Sequence, residues 1–200
     1  QMCIRDRHIA KALLALGVGP GDRVGYFLQE CIETIAIIIG AAKIGAITAP
    51  INSRFKTTEL QQVIVHAGMK VIFTSSPEVG TDFNGLINET FPQIADSKSK
   101  FLDFAEAPEL DALIMLDHIE RPGIFNLSNI AEMAETISDE AVAASQAGVR
   151  VRDTSIIMYT SGTTAMPKGA MLSHESFSRY AASIKERMRL NEDDIFWAAL

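Results

Sequence analysis

Residues 158–176 read MYTSGTTAMPKGAMLSHES, a stretch with six Ser/Thr hydroxyls, two glycines, one proline and one lysine. Such a set suits a polyphosphate. Gly162 and Gly169 are expected to take backbone angles closed to other residues, so that successive N–H groups point into one concavity. Thr160, Ser161, Thr163 and Thr164 add short hydroxyl donors, and Lys168 adds a flexible point charge. Pro167 fixes its own φ and pushes Met166 toward an extended shape, which stiffens the base of the loop. The stretch is not a Walker A loop: five residues after Gly162 stands Pro167 instead of glycine, and Lys168 is followed by Gly169 instead of a magnesium-binding Ser or Thr. GVGPGDRVG, residues 17–25, is no dinucleotide fingerprint either, because its glycines precede a strand and read as a helix-to-strand turn.

The elements that must carry this loop follow from hydrophobic spacing. Ile9, Ala12, Leu13 and Leu16 recur at helical intervals before Gly17, which predicts a helix over about residues 5–16 with a glycine cap. A short strand is expected at 24–28. A helix apolar on nearly every side, and therefore buried on both faces, is expected at 31–43. Residues 44–51 read as strand and turn. Thr57 is a candidate cap for a helix presenting Leu60, Val63, Ile64 and Ala67, with Glu59 in its first turn. Strands are expected at 70–74, 113–116 and 155–159, a helix at 139–148, the loop at 160–169, and a helix from a Ser173 cap to about residue 189. Asp193 and Asp194 read as a turn before a further strand. Short buried strands alternating with helices make this an α/β chain of βαβ units, with a mainly parallel sheet flanked by helices.

Composition narrows the function. The formal charge is −7 and the sequence pI about 5.1, with 48% hydrophobic and 22% charged residues and a mean hydropathy of +0.14. That balance argues against nucleic acid as a partner. Ten acidic residues face one basic residue, Arg121, between 103 and 140, a run read as a solvated face. Two cysteines, Cys3 and Cys31, read as reduced thiols of a cytoplasmic protein. The longest apolar run, 35–42, is far short of the roughly 20 residues that span a bilayer. His8, His66 and His118 lack ligand spacing and read as surface or partly packed, so no metal ligand is assigned. Tyr159 reads as the end of a packed strand, His174 as a packing or capping residue, and Met158, Met166 and Met171 as gap fillers. No Ser-His-Asp or Cys-His set can be assembled, and no catalytic residue is assigned.

YTSGTTAMPKGAMLSH, residues 159–174, resembles the signature loop of the adenylate-forming (AMP-binding) superfamily, which includes acyl-CoA synthetases, luciferases and the adenylation domains of peptide synthetases. GVGPGDRVGYFLQE at 17–30, AAKIGAITAPIN at 41–52 and VIFTSS at 71–76 resemble the same family in the same order. The resemblance implies that a carboxylate attacks the α-phosphate of ATP to give an acyl-adenylate and pyrophosphate, and that a thiol, commonly coenzyme A, then takes the acyl group. It implies that Thr160, Ser161, Gly162, Thr163, Thr164 and Lys168 bind the ATP phosphates, with Mg2+ sharing the charge. Fixed donors lower the barrier where charge builds on departing pyrophosphate, and one such donor is worth about 3 to 4 kcal/mol in other enzymes. Ala165 stands where the family most often has glycine, at a cost of about 1 kcal/mol if that position needs positive φ. The expected assignment is an incomplete N-terminal AMP-binding domain over residues 1–200, from an acyl-CoA synthetase acting on a fatty or aromatic acid, inactive as a fragment. The rivals are an amino-acid-activating adenylation domain, a P-loop NTPase and a noncatalytic nucleotide-binding module. APINSRFKTTEL at 49–60 lacks the proline-tyrosine pattern of amino-acid-activating domains, which favours a CoA ligase.

Overall fold

The computed structural model describes residues 2–29, 31–75, 81–160 and 167–195. In chain order the elements are α1 (Met2–Ala15), β1 (Arg23–Phe27), α2 (Ile32–Lys43), β2 (Ile47–Pro50), α3 (Thr57–Ala67), β3 (Met69–Thr74) and α4 (Phe83–Thr90). A 3-10 turn at Pro92–Asp96 follows, then β4 (Ala112–Met115), α5 (Leu127–Glu135), α6 (Asp139–Gly148), β5 (Thr154–Thr160), β6 (Lys168–Ser173) and α7 (His174–Arg187). The six strands form one sheet in the order β4-β3-β1-β2-β5-β6. All pairings are parallel except β5 with β6, which is antiparallel.

Strand alternation divides the core into two layers. Val71, Phe73, Ala112 and Ile114 point to the layer formed with α1, α2, α5 and α6, where Leu13, Ile37 and Ala41 are fully buried. Ile72, Leu113 and Met115 point to the opposite layer, where α3 and α4 supply Leu60, Val63, Ile64 and Ile87. Helices on both faces let a parallel sheet bury both its surfaces. β2 meets β5 at the single ladder pair Thr48↔Ile156, beside which the buried Thr48 hydroxyl donates to the Ser155 carbonyl at 3.2 Å.

Most expected elements are present, with informative differences. The helix of residues 5–16 is α1, and Gly17 follows it at φ 75°. α2 is not buried on both faces: Ile32 and Ile35 are 52% and 45% exposed, because the sheet and α1 cover only the sides carrying Ala36, Ile37, Gly40 and Ala41. Thr57 does not cap α3 but begins it, and the Glu59 carboxylate instead accepts the Lys56 N–H at 2.8 Å. The acidic run hides α5, while eight of its ten carboxylates are exposed and only Asp111 and Asp117 are half-buried. Asn191 and Asp194 close a turn, with Asp194 Oδ2 accepting the Asn191 N–H at 2.7 Å. The strand expected after it lies largely outside the described residues.

Candidate phosphate-binding hairpin

β5 owes its place to Ser155 and Ile156, which are buried, while the residues beyond them alternate between half-buried and exposed. Ile157 and Tyr159, both half-buried, share one face, on which Tyr159 meets α3, and Met158 and Thr160 face solvent. The chain returns as β6 in the register Thr160↔Lys168, Tyr159↔Gly169, Met158↔Ala170 and Ile157↔Met171. Thr160 and Lys168 are thus direct cross-strand neighbours on one exposed face, a placement that sets Cβ atoms about 5 Å apart. Lys168 makes no ion pair among the described residues. Ser161, Gly162, Thr163 and Thr164, together with Ala165 and Met166, lie outside the described residues.

Lys168 and Gly169 belong to a strand, not to the loop in which the sequence spacing put them. Gly169 also does not occupy a left-handed conformation. Its missing side chain serves close packing instead: a Cβ there would stand 2.8 Å from Ile157 Cγ2 and 3.4 Å from Tyr159 Cζ. The Tyr159 ring therefore lies over the backbone of its own cross-strand partner. From the other side, the Tyr159 hydroxyl meets His66 Nδ1 of α3 at 2.8 Å, with the two rings edge to face at 5.8 Å between centroids. Burial raises the pKa of the phenol above the ordinary tyrosine value. His66 had no mark in the sequence: it is off the apolar stripe of α3, and its partner is 93 residues away.

At the other end of the hairpin, Ser173 caps α7 by accepting the Ser176 N–H at 3.2 Å. His174 N donates to the Asp153 carbonyl at 3.2 Å, while His174 Nε2 is buried with no partner among the described residues. It borders an open cleft of about 380 Å³ between the ends of α2 and α6, lined also by Ala42, Lys43, Val149 and Arg150. Met158 and Met171 are not gap fillers, being 40% and 70% exposed. No three His, Cys, Asp or Glu side chains among the described residues stand close enough to hold a metal ion.

A mostly parallel sheet with helices on both faces and a glycine-tight antiparallel hairpin at one margin defines an α/β protein. The sequence matches the AMP-binding enzyme family over residues 1–200, and the chain belongs to that adenylate-forming family. It is 30% identical over 187 residues to the acyl-CoA ligase sidI of Beauveria bassiana, covering 94% of this chain and 30% of that protein. It is 29% identical over 197 residues to the long-chain-fatty-acid–CoA ligase FadD13 of Mycobacterium tuberculosis, covering 94% and 33%. The solved Mycobacterium tuberculosis fatty acyl CoA synthetase superposes with a TM-score of 0.61 at 26% identity, over 91% of this chain and 31% of that one. The chain spans about a third of the length of these curated relatives. No described helix is long and apolar enough to cross a membrane.

Proposed function

We propose that this chain is the first part of an AMP-binding domain that activates a carboxylic acid with ATP and passes the acyl group to coenzyme A. In this reading residues 1–200 supply the phosphate-binding hairpin, and Thr160, Ser161, Gly162, Thr163, Thr164 and Lys168 hold the ATP phosphates. The substrate is a fatty or aromatic acid, and the name of the long-chain-fatty-acid–CoA ligase relative supports the fatty one. Mg2+ would arrive with the nucleotide, and no residue of this chain is assigned to it. The compartment is the cytoplasm, on the strength of a free, exposed Cys31 thiol.

One observation carries the reading. Thr160 and Lys168, the two described members of the donor set, stand side by side on the open face of a hairpin, at the two ends of the stretch that holds the other four. Cross-strand pairing fixes the two backbone positions from which the hydroxyl and the ammonium reach out, so their points of attachment are set before a phosphate arrives.

The test is carboxylate-dependent exchange of labelled pyrophosphate into ATP, run on the chain together with whatever its reading frame encodes beyond Leu200. Exchange should be present, and Lys168→Ala should lower it by about 100- to 1,000-fold, the effect of losing one transition-state donor. Normal exchange in that variant would remove the lysine from the site. The 200 residues alone should bind ATP weakly and show no exchange, so turnover by them would refute the division of labour.

A further inference from the structure

We propose that His66 is a positioning residue for the phosphate site: its Nδ1 holds the Tyr159 hydroxyl, and the Tyr159 ring, lying over Gly169, fixes the base of the hairpin that presents Thr160 and Lys168. The inference rests on the phosphate reading of that hairpin.

Three contacts in series make the connection. The first is the 2.8 Å hydrogen bond between α3 and β5. The second is the ring beside Gly169, close enough that a Cβ there would stand 3.4 Å from Tyr159 Cζ. The third is the peptide bond from Gly169 to Lys168, which is paired with Thr160. With the imidazole hydrogen on Nε2 the phenol O–H donates to His66 Nδ1, the arrangement on which the inference is built; with it on Nδ1 the phenol oxygen would accept instead.

The geometry also explains why the hairpin needs such a support. β5 reaches four residues past Ile156, its one ladder partner for β2, so the sheet holds Tyr159 and Thr160 through β6 alone and not from the β2 side. On the α3 side, His66 and Tyr159 meet as an exposed polar cap over the core layer of Leu60, Val63 and Ile64. A hydrogen bond with an edge-to-face ring contact restricts both the tilt of the ring and its rotation about χ1. Packing alone would restrict only the tilt.

The experiment uses the isotope-labelled 200-residue chain, inorganic tripolyphosphate as the probe, and amide shifts of Lys168 and Gly169 as the readout. Tyr159→Phe keeps the ring and removes the hydroxyl; His66→Ala removes the acceptor; His66→Asn places an amide oxygen near the position of Nδ1. One net hydrogen bond corresponds to about a two- to ten-fold change in Kd, so Tyr159→Phe and His66→Ala should each weaken binding by that factor. The double variant should be no weaker than either single one, and His66→Asn should restore binding to within about two-fold of the original. In the unaltered chain the His66 Nδ1 nitrogen should show the shift of an unprotonated acceptor, and Tyr159→Phe should move it. If Lys168→Ala weakens binding while both single variants bind normally, or if their effects multiply, the inference is overturned and the phosphate reading survives. If Lys168→Ala binds like the original chain, or no saturable shift is seen at all, the phosphate reading fails and takes this inference with it.

Discussion

Gly169→Ala tests the packing at the base of the hairpin. The added Cβ would lie 2.8 Å from Ile157 Cγ2, against 3.4 Å and 3.6 Å from Tyr159 Cζ and Cε1. Carbon atoms settle about 3.5 to 4.0 Å apart, so Ile157 must retreat while the tyrosine ring can stay. Ile157 is β-branched and stiff at χ1, and leaving its rotamer costs about 0.5 to 1.5 kcal/mol. Replacing glycine inside a strand recovers about 0.5 to 1 kcal/mol, with no left-handed backbone penalty to set against it. The two terms nearly cancel, and the single variant should change stability by no more than about 1 kcal/mol. The decisive variant is Ile157→Leu, which removes Cγ2 and keeps the volume. In that background Gly169→Ala should stabilise by about 0.5 to 1 kcal/mol, because the strand gain is then unopposed. Urea unfolding of the four proteins at equal m-value gives the coupling free energy, expected at about 0.5 to 1.5 kcal/mol. Additive effects would show that Ile157 is not the obstacle and that Gly169 is not there for contact.

Three other outcomes are expected. Lys43→Met strands the Asp6 carboxylate, which is 3% exposed and loses its 2.9 Å partner. The loss in urea unfolding should be near the lower end of the ~3 to 5 kcal/mol typical of a broken buried pair, since Lys43 keeps a fifth of its side-chain surface in water, and Asp6→Leu with Lys43→Met should recover most of it. Asp139 accepts from Lys11 at 2.7 Å and Arg7 at 3.0 Å, and the Lys11 hydrogen bond followed by both charges lowers its pKa. A depressed folded-state value means that this stability is present above the unfolded value and is lost as pH falls through the folded one, so Asp139→Asn should flatten only the acid limb of the stability profile, and Lys11→Gln should raise the carboxyl midpoint seen by NMR. Ser173→Ala should speed amide exchange along α7 by removing a cap worth about 1 kcal/mol, with little change in the global midpoint because α7 has no fully buried residue.

What could be read from residue order depended on whether the cause was local. Ile9, Ala12, Leu13 and Leu16 advertised α1 because one face of the helix had to be apolar, and all four are buried. The interior strands were legible for the same reason, since a strand covered on both faces is a short unbroken apolar run. β6 was not legible. KGAMLS has glycine and alanine where strands favour branched residues, and it exists as a strand through its pairing with β5. The proposed donor set comes from residue types, and the structure adds that Thr160 and Lys168 are neighbours in register. The contact between His66 and Tyr159 was invisible because no periodicity links residues so far apart in the chain. α5 was obscured for another reason: carboxylates on its outer face matched the charge run around them, and only Ile130 and Ala134 of the helix are buried, with Met133 partly so.

The lone rung between β2 and β5 has a mechanical consequence. Other parallel seams of the sheet are stitched by four or five ladder pairs, whereas this one has Thr48↔Ile156 and a hydroxyl bond beside it. Strain or denaturant that parts this rung leaves the hairpin and α7 tied to the rest of the sheet mainly through the contact between Tyr159 and His66, like the leaf of a clasp on its catch. On the proposed reading, a polyphosphate that bound the hairpin better with the clasp shut than parted would help to keep it shut, and ligand affinity and the strength of that seam would then rise and fall together.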